Sequence, residues 1–157
     1  MATRSTRKTA SPEAVADISA AEDERPAAAL TLIAQDHRRL ASRLAAMVVA
    51  MEAGADTATV RECIVGLIEA AREHFVGEKW AMRAIGWPDY LSHKAEHARL
   101  LRDACDMLKN FDVAFTSEDW PAVAAYFRHW LAAYHRRYDD ALLAALSARG
   151  GGAAPAA

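Results

Sequence analysis

An all-α fold, an up-down-up-down four-helix bundle, is what this 157-residue chain predicts, and three observations carry the prediction. Apolar residues recur at three- and four-residue intervals over four long segments, the period of a helix with one buried face. Runs of alternating apolar and polar residues, the mark of a half-buried strand, are scarce. The connections between the periodic segments are short and carry the Gly, Pro, Asp and Asn residues that end helices or turn the chain. Apolar residues make up 53% of the sequence and only five residues are proline, so most of the chain is able to build a core.

Residues 1–27 have no sustained apolar period and are rich in Ala, Ser, Thr and charge, which reads as a disordered N-terminal tail. The first helix is expected from about Ala28 to Met51, with Leu30, Ile33, His37, Leu40, Leu44 and Met47 on one stripe, ending near Gly54. Asp56 is a suitable N-cap for the second, which carries Val60, Ile64, Leu67, Ala71, His74, Glu78 and Met82 on its inner face. The run Ile85-Gly86-Trp87-Pro88 interrupts the pattern. The third helix is expected over about Asp89 to Lys109, with His93, His97, Leu100, Ala104 and Leu108 aligned. Asn110 to Thr116 reads as a loop, and Ser117 with Pro121 opens a fourth helix bearing Val123, Phe127, Leu131, Tyr138 and Leu142. Residues 28–148 thus form the expected domain, and 149–157, beginning with a glycine run, a second disordered tail.

Bulk properties exclude several roles. Nineteen basic against 21 acidic residues leave a formal net charge of −2, so no nucleic acid or anionic membrane is expected as a partner. No apolar run reaches the roughly 18 residues of a bilayer span. Cys63 and Cys105 do not make a disulfide framework, and with no signal-peptide pattern at the start a cytoplasmic location is expected.

The histidines carry the chemistry. Four of the six, His37, His74, His93 and His97, fall on stripes assigned to the core. A single core histidine is ordinarily held by a backbone group; several in one small core are costly unless each finds a partner, and a shared metal satisfies all of them. His74 with Glu78, and His93 with His97, stand four residues apart, so each pair projects from one helix face toward a common point. Mixed imidazole and carboxylate donors suit iron and, less selectively, zinc or manganese. Neither cysteine joins the pattern, which argues against a thiolate zinc site.

The run His74-Phe75-Val76-Gly77-Glu78, then Met82, Trp87-Pro88, His93 and His97, resembles the core motif of the hemerythrins, H-F-x-x-E, Met, Y-P and H-x-x-x-H. Asp36-His37-Arg38-Arg39-Leu40 resembles that family's first-helix element, and Trp130-Leu131 with His135 to Asp140 its last-helix element. The resemblance spans about residues 28–146. It implies a non-haem di-iron centre with an oxo or hydroxo bridge: His93, His97 and His135 on one iron, His37 and His74 on the other, Glu78 and Asp140 bridging both. It further implies an open position for dioxygen on the two-histidine iron. Phe75, Trp80, Met82, Trp130 and Leu131 are candidates for an apolar shell, although Trp80 reads more readily as plain core.

Two departures stand out. Trp87 replaces the family's tyrosine. On the fourth helix the family's histidine comes four residues after the tryptophan, where this chain has Tyr134; His135 comes one later. His135 with Asp140 is the preferred pair because it restores an imidazole; Tyr134 with Asp139 is the alternative. His129 fits no ligand position and reads as a surface residue, and Lys79 as solvent-facing. The resemblance therefore implies a bacterial-type protein that binds dioxygen reversibly for storage, transport or sensing. Such a protein is not an enzyme, and it would be a monomer or weak homo-oligomer. The alternatives are a di-iron enzyme reducing peroxide or nitric oxide, and an iron-handling protein without reversible oxygen binding.

Overall fold

The computed structural model describes residues 12–134 and 139–150, with side chains over 26–134 and 139–149. It is all-helical, with no strand among the described residues. In chain order the elements are α1 (Pro12–Glu52), α2 (Thr57–Ala84), α3 (Tyr90–Lys109), a single turn α4 (Phe111–Ala114), a 3₁₀ turn (Ser117–Asp119), α5 (Trp120–Tyr134) and α6 (Asp140–Gly150). Helix α1 packs on α2, α5 and α6, and α2 packs on α3.

The boundaries follow local chemistry. Helix α1 ends in a Schellman closure: Gly54 takes a positive φ of 73°, its N–H donates to Met51 O, and Ala55 N–H donates to Ala50 O. The end of α2 repeats it, with Gly86 at φ 62°, Gly86 N–H to Arg83 O and Trp87 N–H to Met82 O. A β-carbon at either glycine would meet open space but a strained backbone, so the left-handed conformation is what selects glycine there. Asp56 caps α2 as expected, its carboxylate accepting from Thr59 N–H at 2.7 Å. Thr116 N–H donates to the Asp119 carboxylate at 2.8 Å, which fixes the turn into α5.

Three elements differ from expectation. Helix α1 reaches back to Pro12, well into the stretch expected to be a tail; proline suits a first helical position, and the Ala- and Glu-rich sequence that follows has high helix propensity without an apolar face. The expected loop over 110–116 contains the turn α4, because Phe111 is drawn into the core at 1% exposure and stacks on Trp120. The fourth helix is described in two pieces: α5 runs to Tyr134, Asp139 has π-helical backbone, and α6 begins at Asp140, with 135–138 outside the described residues. Tyr138, expected on the inner stripe, lies outside the described residues, as do 1–11 and 151–157 of the expected tails. Among the described residues no helix is long and apolar enough to cross a membrane.

The apolar interior comes in two parts. The larger holds Leu40, Met47, Ile64, Leu67, Phe75, Leu100 and Phe127; the smaller holds Ile33, Met82, Ile85, Leu142 and Leu146. On α1, His37 falls between Ile33 and Leu40; on α2, Glu78 falls between Phe75 and Met82. A polar layer therefore separates the two clusters. Truncating Phe127, fully buried in the larger one, to alanine should destabilise the chain by about 3–5 kcal/mol. Asp56→Ala should cost only about 1 kcal/mol, through the lost cap. Urea unfolding of the two variants under identical conditions measures both.

Candidate metal centre

The polar layer is assembled from helix faces. On α2, His74 and Glu78 are one turn apart and both fully buried. On α3, His93 and His97 are likewise one turn apart, at 1% and 6% exposure. Helix α1 contributes His37, whose side chain keeps 20% of its surface in solvent. The last segment contributes Tyr134 and Asp139, at 3% and 0%.

All four imidazoles turn Nε2 toward the two carboxylates, and each carboxylate faces two ways. Glu78 Oε2 lies 3.3 Å from His93 and 3.0 Å from His97, while its Oε1 faces His74 at 3.7 Å. Asp139 Oδ2 lies 3.0 Å from His37 and 3.8 Å from His74, while its Oδ1 faces His93 at 4.0 Å. The Tyr134 hydroxyl donates a short hydrogen bond to Glu78 Oε2 and stands 2.5 Å from His97 Nε2 and 2.9 Å from His93 Nε2. Phe75 stacks on His97 with ring centroids 4.0 Å apart and planes 8° from parallel, and meets the Tyr134 ring edge-on at 5.0 Å.

Two ligand groups result, and they share a member: His37, His74, Glu78 and Asp139 form one, and Glu78, His93 and His97 the other. In each, one donor atom per residue lies within 4.8 Å of all the others. Glu78 Oε1 supplies the test of fit. It is buried, accepts no hydrogen bond among the described residues, and its nearest imidazole nitrogen is too far for one. A carboxylate oxygen in that position is costly unless a cation completes it. The buried cluster could hold a metal ion, and its imidazole and carboxylate donors match the borderline first-row metals.

Electrostatics within the layer are strongly opposed. Burial pushes the Glu78 carboxyl up, but hydrogen bonds from His93 and His97 and the charge of His74 outweigh it, and the group is held well below the usual carboxylate range. Burial pushes the His74 imidazole down, yet Asp139 and Glu78 together raise it above its ordinary value. His97 falls below its ordinary value, because burial exceeds what Glu78 returns. The Tyr134 phenol is driven far upward by burial and by the Glu78 and Asp139 carboxylates, so among protein groups alone it stays protonated and donates to Glu78.

Five of the expected ligands, His37, His74, Glu78, His93 and His97, come together. Asp140 does not: it is exposed at the start of α6, and Asp139 occupies the cluster in its place. His135 lies outside the described residues, and the phenol of Tyr134 stands where an imidazole was expected. Helix phase explains the change. The inner stripe of α5 runs through Trp120, Val123, Phe127, Trp130 and Leu131. From Phe127, position 134 returns to within about 20° of the same face, whereas position 135 is about 80° away. In an α-helix, residues five apart point about 140° from each other, so a regular helix would not bring Tyr134 and Asp139 to one site; both are buried in the layer, and Asp139 has π-helical backbone.

Around the cluster, Phe75, Met82, Trp130 and Leu131 are buried as expected. Trp80 is not, at 64% exposure, since two residues from Glu78 is the far side of α2. His129 is exposed as expected, and Lys79 is half-buried rather than solvent-facing. Compared with known proteins, the chain matches no family model, no curated protein and no solved structure.

The two readings of the last segment are separable by stability. A divalent metal at 100 times its dissociation constant should stabilise the chain by about 2.7 kcal/mol. Asp139→Asn should abolish most of that gain. Asp140→Asn should keep it, shifting stability by less than about 0.5 kcal/mol. Thermal unfolding with and without metal reads the difference.

Proposed function

We propose that the chain is a hemerythrin-like up-down-up-down four-helix bundle with a non-haem di-iron centre that binds dioxygen. The observation that supports this most is the pair of ligand groups joined through Glu78, with a second carboxylate, Asp139, also facing both. Two straddling carboxylates and four inward imidazoles are a donor set for two adjacent ions rather than one. His37, His74 and Asp139 would hold one iron, His93 and His97 the other, with Glu78 shared and Tyr134 within reach of the second. Bound iron supplies the electrons that dioxygen takes up. The protein's part is positional. Phe75 fixes the His97 ring by stacking, Met82 and Phe75 exclude water on either side of Glu78, and Tyr134 holds a proton against Glu78 Oε2.

Tyr134 favours a second reading. An imidazole is neutral as a ligand; a phenol that binds a metal does so as an anion, and a hard anionic oxygen favours the ferric state. That weighs against easy release of dioxygen. It suits an enzyme acting on peroxide, for which disproportionation of two hydrogen peroxide molecules to two waters and one dioxygen needs no outside reductant.

An anaerobic iron titration followed by air and then argon tests both. Two irons per chain, with a visible charge-transfer band that appears in air and fades under argon, is the expected result for reversible binding. Two irons that oxidise once and do not recover, together with rapid loss of added peroxide, would replace it with the enzyme reading. One iron or none would remove both.

A further inference from the structure

A cavity of about 240 Å³ lies between α3 and α5, outside the cluster. Its walls include Glu96, Arg99, Tyr126, His129, Ala133 and Tyr134. Tyr134 is the one residue it shares with the polar layer, and its hydroxyl contacts Glu78, His93 and His97. Trp130 and Leu100 brace the wall between them, the indole N–H donating to Leu100 O at 3.3 Å. The outer end is polar and half of it is exposed: Arg99 and His129 reach solvent, Glu96 and Tyr126 partly so.

The charges at the outer end decide what can pass. The Arg99 guanidinium is already divided between two carboxylates, with Nε 2.9 Å and Nη2 2.5 Å from Glu96 and Nη1 2.7 Å from Asp103. One cation between two carboxylates leaves a small negative excess. Such a mouth repels anions and offers no free guanidinium fork to hold one, while its polar lining tolerates a small uncharged molecule.

We propose that this α3–α5 cavity is the route by which small uncharged ligands, of the size of dioxygen, nitric oxide or hydrogen peroxide, reach the centre, with Tyr134 as its inner wall. The ligand then arrives at the His93–His97 half of the site, whereas the partly exposed His37 marks the opposite half. The route itself depends only on the cavity; its link to chemistry rests on the di-iron reading above.

The test uses the full chain labelled with 3-fluorotyrosine, without iron, and dissolved dioxygen as the paramagnetic probe. Fluorine resonances of Tyr134, Tyr126 and Tyr90 are assigned by single Tyr→Phe changes. Relaxation of the Tyr134 signal by dioxygen should fall severalfold in Ala133→Trp, where an indole fills the cavity, and partway in Ala133→Leu. Tyr90, which does not line the cavity, should be unaffected in both. Circular dichroism checks that the variants fold, and Ala133→Leu decides the matter if the larger residue is not tolerated. Unchanged relaxation at Tyr134 in a folded variant would overturn the proposal and leave the His37 side as the approach. With iron loaded, the same variants should slow nitric oxide association about ten-fold while keeping their iron. A chain that takes up no iron would sink the di-iron reading, and the dioxygen relaxation would still decide the route.

Discussion

Two carboxylates and four imidazoles share one buried layer, and the cost of removing them from water governs the rest of the molecule. An isolated carboxylate in such a place would give up its charge. Glu78 instead stays ionised because His93, His97 and Tyr134 surround one of its oxygens. The pairing is mutual: the carboxylates raise His74, and they keep the Tyr134 proton in place. Removing any one member leaves a charge or a donor unmatched in a dry interior, which is more expensive than losing an ordinary core contact. The layer is thus held by neighbours that need one another, between two apolar clusters that exclude competing water.

That demand reaches into the backbone. Four donors come from two i, i+4 pairs on α2 and α3, which an ordinary helix supplies at no cost in geometry. The last segment has no such pair. Its apolar stripe commits position 134 to the interior, and the only acid within reach is five residues on. A regular helix would point Asp139 away from Tyr134; Asp139 has π-helical backbone and lies buried in the layer. π-helical backbone is rare, occurs mostly as single turns inside α-helices, and is frequent at functional sites. Here Asp139 faces His37, His74 and His93 at once.

The same geometry explains what could be read from the sequence. Helix period and the four-residue spacing of His74 with Glu78 and of His93 with His97 are local properties, so these residues, the Asp56 cap and the Gly54 and Gly86 stops were legible. His37 was legible because its neighbours Ile33 and Leu40 fix its phase. The last helix was not, because His135 with Asp140 and Tyr134 with Asp139 have identical separation, and the spacing alone is blind to a one-residue slip. Chemical preference for imidazole pointed to His135 with Asp140; Asp140 is exposed and Asp139 buried, while His135 lies outside the described residues. The phase carried forward from Phe127 and Trp130 favoured Tyr134, and burial agrees. Trp80 misled in a simpler way, through hydrophobicity read without helix phase. The helical extent of 12–27 has no apolar face to announce it, so propensity alone carried that information.

Tyr134 ties the layer to the outside. Its hydroxyl is committed inward to Glu78 and the α3 imidazoles, while another part of the residue forms the wall of a polar cavity that opens between α3 and α5. An imidazole at this position would be shorter by most of a ring and would leave the cavity closer to continuous with the cluster. The phenol therefore does two things that pull apart: it stands between the layer and the solvent-facing cavity, and it puts a hydroxyl against Glu78 and the α3 imidazoles. Reversible binding of dioxygen rewards the barrier, because water and loose protons promote oxidation of the metal. Turnover of peroxide rewards the oxygen, because an anionic donor steadies the oxidised metal and a nearby proton completes the product. In the proposed di-iron reading both demands meet at this one residue, which stands between the layer and the polar, solvent-facing cavity.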